Sequence, residues 1–306
     1  MNMGREARSA KLCVGPVLFH WPAEKKLEFY TRLATAPVDV VYLGEVVCSK
    51  RIPLFENHHQ DIARLLKEAG KKVVFSTLAE VMTQYDRQVV ARICAMHDEL
   101  IEANDAAALY HLSGRPHAIG PFLNVYNEDS LEFLAGKGAL HATLPNELPR
   151  AAIAMLGRKA QNLGMGLEVQ VYGRMPLALS ARCYHARAHG RAKDNCRFVC
   201  GQDPDGMDLT TMEGVPFLSI NGIQTLSHAC LNLIREMPAL AGMGVTHFRL
   251  SPHTGDIVET ARLFRAVLDG ELATTEATTR LAALAPAPFA NGFYHQREGY
   301  KWAEAG

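Results

Sequence analysis

The feature that most constrains this chain is a regular alternation of short apolar segments with helical patterns. Strands buried on both faces of a parallel sheet read as continuous apolar runs. The alternation predicts an α/β fold of parallel β/α units, and the number of units approaches that of a closed TIM-type barrel. A doubly wound open sheet is the alternative. The apolar runs are Leu12–Phe19, Val38–Leu43, Val73–Thr77, Leu100–Glu102, Ala108–Leu112, Ile119–Leu123, Leu140–Leu144, Leu167–Tyr172, Pro216–Ile220 and Thr246–Leu250, and the clearest helical patterns are Gln84–His97, Ser130–Ala135 and Arg150–Leu163.

The chain is long enough to bury one full core, because 48% of its 306 residues are hydrophobic. We predict a single (β/α) barrel-like domain over residues 10–281, with an inserted loop region that carries cysteines. The alanine- and proline-rich segment Ala282–Ala290 indicates a linker. Residues 282–306 are therefore predicted to form a linker and a C-terminal tail.

Three cysteines lie close together between Ser180 and Gly201, in the pattern C-x12-C-x3-C formed by Cys183, Cys196 and Cys200. Their neighbours are mainly arginines and a lysine, whereas a core cysteine normally sits in an apolar run. This composition favours metal ligation. The sequence offers as a fourth ligand Cys48, His185, His189 or one of the remaining cysteines, of which Cys13 and Cys94 read as core positions and Cys230 reads as a buried helix position.

Cys48 is the best candidate for the fourth ligand. It follows a predicted buried strand and stands beside Lys50 and Arg51, whose positive charge is expected to lower the pKa of its thiol and favour the thiolate. In a barrel, the residues just after the carboxyl ends of strands meet at one rim. We therefore expect Cys48 and Cys183 to meet there.

Charge and hydropathy narrow the class of protein. Lys plus Arg and Asp plus Glu both number 32. The net charge therefore gives no indication of nucleic-acid binding. No apolar run reaches the roughly 18 residues of a transmembrane helix, and the N-terminus lacks a signal-peptide pattern. We expect a cytoplasmic protein, in which disulfides are disfavoured and clustered cysteines indicate metal or redox chemistry.

Two kinds of centre fit four cysteines. Structural zinc usually takes its ligands from two close pairs, but here one pair is close and the other two ligands are dispersed, as is common in iron–sulfur proteins. An oxidised cubane cluster with four thiolates carries net negative charge, which gives the surrounding basic residues an electrostatic role. The spacing of the cysteines alone is compatible with both zinc and an iron–sulfur cluster.

Several motifs resemble the UbiV-type branch of the collagenase-like peptidase family, the U32 type. They are G-P-V-L-F-x-W-P at Gly15–Pro22, Y-L-G-E-V-V-C-S-K-R at Tyr42–Arg51, F-S-T-L-A at Phe75–Ala79, P-L-A-L-S-A-R-C at Pro176–Cys183, N-G-I-Q-T-L-S at Asn221–Ser227 and R-L-S-P at Arg249–Pro252. The resemblance runs from near residue 10 to near residue 294.

The resemblance implies a 4Fe-4S cluster held by Cys48, Cys183, Cys196 and Cys200, called the cysteine set below. It also implies a heterodimer with a UbiU-type sister subunit, and an oxygen-independent hydroxylase that acts on the aromatic ring of ubiquinone precursors. Prephenate is the implied oxygen donor, and the polyprenyl tail of the precursor would need an apolar groove.

Three other functions compete with this one. The family name suggests a peptidase, but the sequence has neither H-E-x-x-H nor G-x-S-x-G. Other family members hydroxylate RNA bases, which the balanced charge disfavours, and a zinc-stabilised partner subunit without catalysis is a further alternative. No catalytic residue is assigned; Glu45 could transfer a proton, orient an amide or pair with Arg51, and His228, Arg249 and His253 lie near late strand ends.

Overall fold

The computed structural model describes residues 10–304. Its strands are β1 Lys11–Val14, β2 Val40–Leu43, β3 Lys72–Ser76, β4 Leu100–Ala103, β5 His117–Ile119, β6 Ala139–Thr143, β7 Gly166–Leu179, β8 Met207–Thr210, β9 Pro216–Asn221, β10 Gln224–Asn232, β11 His247–Leu250 and β12 Phe289–Ala290. Its α-helices are α1 Ala23–Ala34, α2 His59–Glu68, α3 Gln84–Cys94, α4 Ala106–Leu112, α5 Glu128–Gly136, α6 Arg150–Leu163, α7 Tyr184–Ala188, α8 Met237–Gly242, α9 Ile257–Leu268 and α10 Thr274–Ala282.

Eight parallel strands close into a barrel. Strands β1 to β7 pair in chain order, and β11 closes the ring by pairing in parallel with both β7 and β1. Leu250 of β11 stands opposite Val14 on one side and Tyr172 on the other. The predicted TIM-type barrel is thereby confirmed. One main apolar core packs the outer faces of the strands against the helices.

The inserted region begins where β7 continues beyond the barrel. Its second half pairs antiparallel with β10, and β9 and β8 extend this antiparallel sheet outward. The connection from Leu179 to Met207 contains α7 and two 3₁₀ turns, at Lys193–Asn195 and Val199–Gln202. Three of the four cysteines of the set lie on this connection.

Two local expectations were wrong. The apolar run Ala108–Leu112 belongs to α4, which Asp105 caps by accepting a hydrogen bond from the amide of Ala107 at 2.7 Å. Cys230, read from the sequence as a helix position, lies fully buried in β10.

The C-terminal segment returns to the barrel. Strand β12 pairs with β10, and Asn291 and Tyr294 are buried. Within residues 10–304, the structure contains no helix with the length and apolar character needed to cross a bilayer.

Candidate metal centre

Cys48 is held by the turn that follows β2. Gly44 opens this turn with φ +146°, where an added Cβ would lie 2.5 Å from the backbone oxygen of Ser76. The Glu45 carboxylate then accepts hydrogen bonds from the amides of Val47 at 3.0 Å and Cys48 at 3.1 Å. Of the roles that the sequence leaves open for Glu45, this geometry supports two, because its carboxylate orients backbone amides and also pairs with Arg51 at 3.8 Å.

The other three cysteines sit on the connection after β7. Cys183 caps α7, and its sulfur accepts a hydrogen bond from the amide of Ala186 at 3.4 Å. Cys196 follows the first 3₁₀ turn and Cys200 lies within the second. The chain reverses between them through Arg197 and Phe198, which both adopt left-handed backbone conformations with φ 47° and 52°.

The fold gathers the cysteine set around one place. Cys183 packs with Leu18, Val46, Val47 and Ile223, and both Cys48 and Cys196 pack against the same apolar group. Cys200 is close enough to Cys183 and Cys196 for their charges to influence its pKa.

Arg51 lies at the centre of this arrangement and is only 2% exposed. Its Nη2 donates to Asn221 Oδ1 at 2.7 Å, its Nη1 donates to the Leu18 carbonyl at 3.2 Å, and Nη1 is 3.8 Å from Glu45. Asn221 in turn donates to the carbonyl oxygens of Cys200 at 3.1 Å and Asp203 at 3.0 Å. Arg51 and Asn221 therefore join the turn of Cys48 to the turn of Cys200.

Lys50 makes a second link between the two loops. Its ammonium group donates to the carbonyl oxygens of Lys193 at 2.9 Å and Asp194 at 3.0 Å. These carbonyls lie directly before Cys196 in the chain. The basic residues noted in the sequence thus hold backbone and sulfur positions together.

The prediction that positive charge lowers the pKa of the Cys48 thiol was only partly correct. Burial raises the pKa of the Cys48 thiol above its ordinary value, and Arg51 opposes this shift without overcoming it. The pKa of Cys200 is raised for the same reason and is opposed by the charge and hydrogen bonding of Arg51. A sequence shows that a cation is near, but it does not show how much water the fold removes.

A polar network fills the barrel beside the cysteine set. Arg249 lies between Glu102, 2.6 Å from its Nη2, and Glu168, which its Nε contacts. Tyr42 donates to Glu168 at 3.1 Å, and Ser76 donates to Glu102 at 2.7 Å. Arg249 is therefore neutralised by two carboxylates and is placed inside the barrel rather than free at its rim.

A small cavity of about 20 Å³, with room for about one water molecule, opens above this network. Leu18 and Val46 line it and also pack against Cys183, so the cavity borders the cysteine set. Its polar lining consists of Glu102, Asn104, Gln170, Arg249 and Ser251. Of the other candidates, His228 pairs with Asp208 at 3.1 Å, and His253 lies 3.3 Å from the hydroxyl of Tyr172.

Solved structures similar to this chain share little sequence with it. An uncharacterized Bacillus cereus protein has 10% identity and a TM-score of 0.42, with 79% of this chain and 61% of that chain covered. This chain thus spans about three fifths of the length of that protein. A phospho-2-dehydro-3-deoxyheptonate aldolase from Thermotoga maritima has 9% identity and a TM-score of 0.42, with 94% and 75% covered. A dihydropteroate synthase from Coxiella burnetii has 9% identity and a TM-score of 0.39, with 89% and 94% covered.

The sequence itself carries the assignment of family. The model of peptidase family U32 matches residues 25–304, a range that includes every barrel strand except β1, the inserted sheet and every member of the cysteine set. The chain belongs to peptidase family U32.

Proposed function

We propose that this chain is the 4Fe-4S subunit of a UbiU–UbiV-type heterodimer that hydroxylates the aromatic ring of ubiquinone precursors without dioxygen. The observation that carries the proposal is the convergence of the cysteine set around the buried Arg51, beside the cavity at the barrel mouth. The UbiV-type motifs quoted above supply the reaction and the partner.

The donor set suits a cluster. Around one tetrahedral zinc ion with Zn–S bonds of about 2.3 Å, the sulfurs lie about 3.8 Å apart. No three thiol sulfurs in the described part of the chain lie within 4.8 Å of one another. In a cubane each thiolate binds a different iron atom, so the sulfurs are more widely spaced. The described thiols are therefore not already arranged around a single zinc ion, and the dispersed positions of the cysteines in the sequence favour a cluster.

When bound, a cluster would supply one-electron transfer steps, and a hydroxylation without dioxygen needs a path for electrons. The chain's own residues supply the charge and the binding groups. Arg51 places a buried positive charge beside Cys48 and Cys200, which offsets the negative charge of a four-thiolate centre. Gln170, Asn104 and Ser251 offer hydrogen-bonding groups in the adjoining cavity, where a polar ring substituent would bind.

The surface of the inserted sheet supports a partner subunit. Strand β8 lies at the edge of the sheet, and the hairpin that it forms with β9 exposes Met212 completely, Val215 by 59% and Phe217 by 46%. An exposed edge strand with apolar side chains is a typical site of protein association. The sister subunit is proposed to cover this hairpin.

The activity can be tested in an anoxic assay. The chain, co-purified with its sister subunit, is supplied with a prenylated phenol precursor and prephenate, and the product is analysed by mass spectrometry. We expect a gain of one oxygen atom that depends on both subunits and is lost with Cys200→Ala. Hydroxylation of RNA bases but not of the phenol would assign the chain to the alternative branch of the family.

Association with the partner is tested separately. Phe217→Glu is expected to reduce co-purification of the sister subunit. Tyr110→Glu, at an 82% exposed position on α4, should leave co-purification unchanged. Equal co-purification by both variants would contradict the placement of the partner on the hairpin.

A further inference from the structure

Three side chains outside the cysteine set converge on the inserted connection. One ligand atom each from His185, His189 and Asp203 lies within 4.8 Å of the other two. His185 lies within α7 and His189 follows it four residues later as the cap, so one face of the helix carries both rings, which stack with centroids 5.4 Å apart. Asp203 ends the turn that carries Cys200.

The hydrogen bonding of His185 fixes which nitrogen faces Asp203. Nδ1 lies 3.1 Å from the carbonyl oxygen of Ile220, and because a carbonyl can only accept, Nδ1 must carry a proton. The neutral ring then presents the lone pair of Nε2 to the Asp203 carboxylate, whose Oδ2 is 3.0 Å away. Two acceptors at this distance repel each other unless a cation lies between them.

The surroundings identify the class of cation. The His185 ring is fully buried and its Nε2 has no hydrogen-bond partner among the described residues. A bridging proton would satisfy His185 and Asp203 but would leave the approach of His189 without a role. A metal ion uses all three groups, and metal-binding histidines usually donate their other ring N–H to a carbonyl or carboxylate, as His185 does.

We propose that His185, His189 and Asp203 form a second metal site, which binds a divalent transition-metal ion such as Zn²⁺, Co²⁺ or Fe²⁺. Two imidazoles and one carboxylate with open positions suit these ions. The site is distinct from the cysteine set because it uses nitrogen and oxygen ligands. It ties α7, which begins after Cys183, to the turn that carries Cys200, and so braces two of the cysteine loops. It does not depend on what the cysteines bind.

Cobalt provides a direct probe. The full chain, purified anaerobically and freed of any affinity tag, is titrated with CoCl₂ by calorimetry. We expect one saturable equivalent in the wild type and at least about tenfold weaker binding in His189→Ala and Asp203→Asn. His189 is exposed, so its replacement leaves the fold intact. His111→Ala, at an exposed position on α4, should bind cobalt as the wild type does.

Iron and sulfide content are measured on the same samples, which separates the two centres. We expect His189→Ala to lose cobalt binding, whereas its iron content, sulfide content and visible spectrum stay as in the wild type. Absence of saturable cobalt binding by the wild type would overturn it, as would unchanged affinity in both variants. Cobalt binding that disappears in Cys200→Ala but persists in His189→Ala would assign the ion to the cysteines and also overturn it.

Discussion

Replacing Arg51 by methionine should destabilise the fold and weaken the cysteine site together. The substitution keeps an apolar side chain of moderate length but removes a buried cation. Asn221 Oδ1 then loses its donor, whereas the Leu18 carbonyl keeps a hydrogen bond from Gln224 at 2.8 Å. Glu45 keeps the amide hydrogen bonds from Val47 and Cys48, but the one cation that remains near it among the described residues is Lys26, at 3.9 Å.

The magnitude follows from these contacts. Removing one partner of a buried charge pair costs about 3–5 kcal/mol, and the remaining Lys26 places Arg51→Met near about 3 kcal/mol. With an unfolding entropy of about 2.1 cal/mol/K per residue over 306 residues, this loss lowers the thermal midpoint by about 5 °C. Arg51→Lys keeps the charge but not both directed hydrogen bonds. Its thermal midpoint should therefore fall between those of the wild type and Arg51→Met.

Thermal unfolding followed by circular dichroism under anoxic conditions measures the effect, and iron analysis of the same samples measures the site. The matched control is Arg64→Met on α2, an exposed arginine paired with Asp61, which should cost less than about 1 kcal/mol. We expect iron content to fall in Arg51→Met and to be unchanged in Arg64→Met. A wild-type midpoint and wild-type iron content in Arg51→Met would refute the reasoning.

Two further predictions concern the barrel. Burial alone would raise the pKa of Glu168, but Arg249 holds it well below its ordinary value, so this carboxylate stabilises the fold above its unfolded pKa of about 4.3 and the stabilisation is lost as pH falls through the folded value. Melting curves should therefore show Glu168→Gln less stable than the wild type at pH 7, with a difference that shrinks in acid; a constant difference would contradict the ion pair. Gly157→Ala in α6 would place a Cβ 1.9 Å from the Met243 carbonyl and should cost about 1–3 kcal/mol, whereas Gly136→Ala in α5, with nothing within 4 Å, should stabilise by about 0.4–1 kcal/mol. Equal denaturation midpoints for Gly157→Ala and Gly136→Ala would show that α6 does not pack against the turn at Met243.

The barrel was predictable because its signal is local and repeated. Apolar runs and helical spacing mark seven barrel strands and the helices α3, α5 and α6 without any long-range information. Strands β8 and β10 of the antiparallel sheet escaped, although the run Pro216–Ile220 marks β9. In β10 the sequence Q-T-L-S-H-A-C-L-N is neither a continuous apolar run nor a regular alternation, and Cys230 within it reads as a helix position. For Ala108–Leu112, Asp105 was a usable signal, since an N-terminal capping residue precedes a helix.

What the cysteine set binds stays a prediction, but that its members lie close together was predictable from residue type and from the position of Cys48 after a strand. Asn221 and Asp203 were not, since their roles depend on which carbonyls and rings the fold brings near them. The network of Arg249 with Glu102 and Glu168 joins residues that are far apart in sequence. No spacing rule connects such positions.

The central proposal is the iron–sulfur centre, and composition tests it most directly. The wild-type chain, the Cys200→Ala variant and a matched control, Cys94→Ala, are each purified anaerobically. Cys94 lies at the end of α3 and its side chain is buried in the main apolar core. About four irons and four sulfides per chain, with a broad visible charge-transfer band that is lost in Cys200→Ala and kept in Cys94→Ala, is the result that we predict. A colourless protein that holds one zinc ion on the cysteines would contradict it.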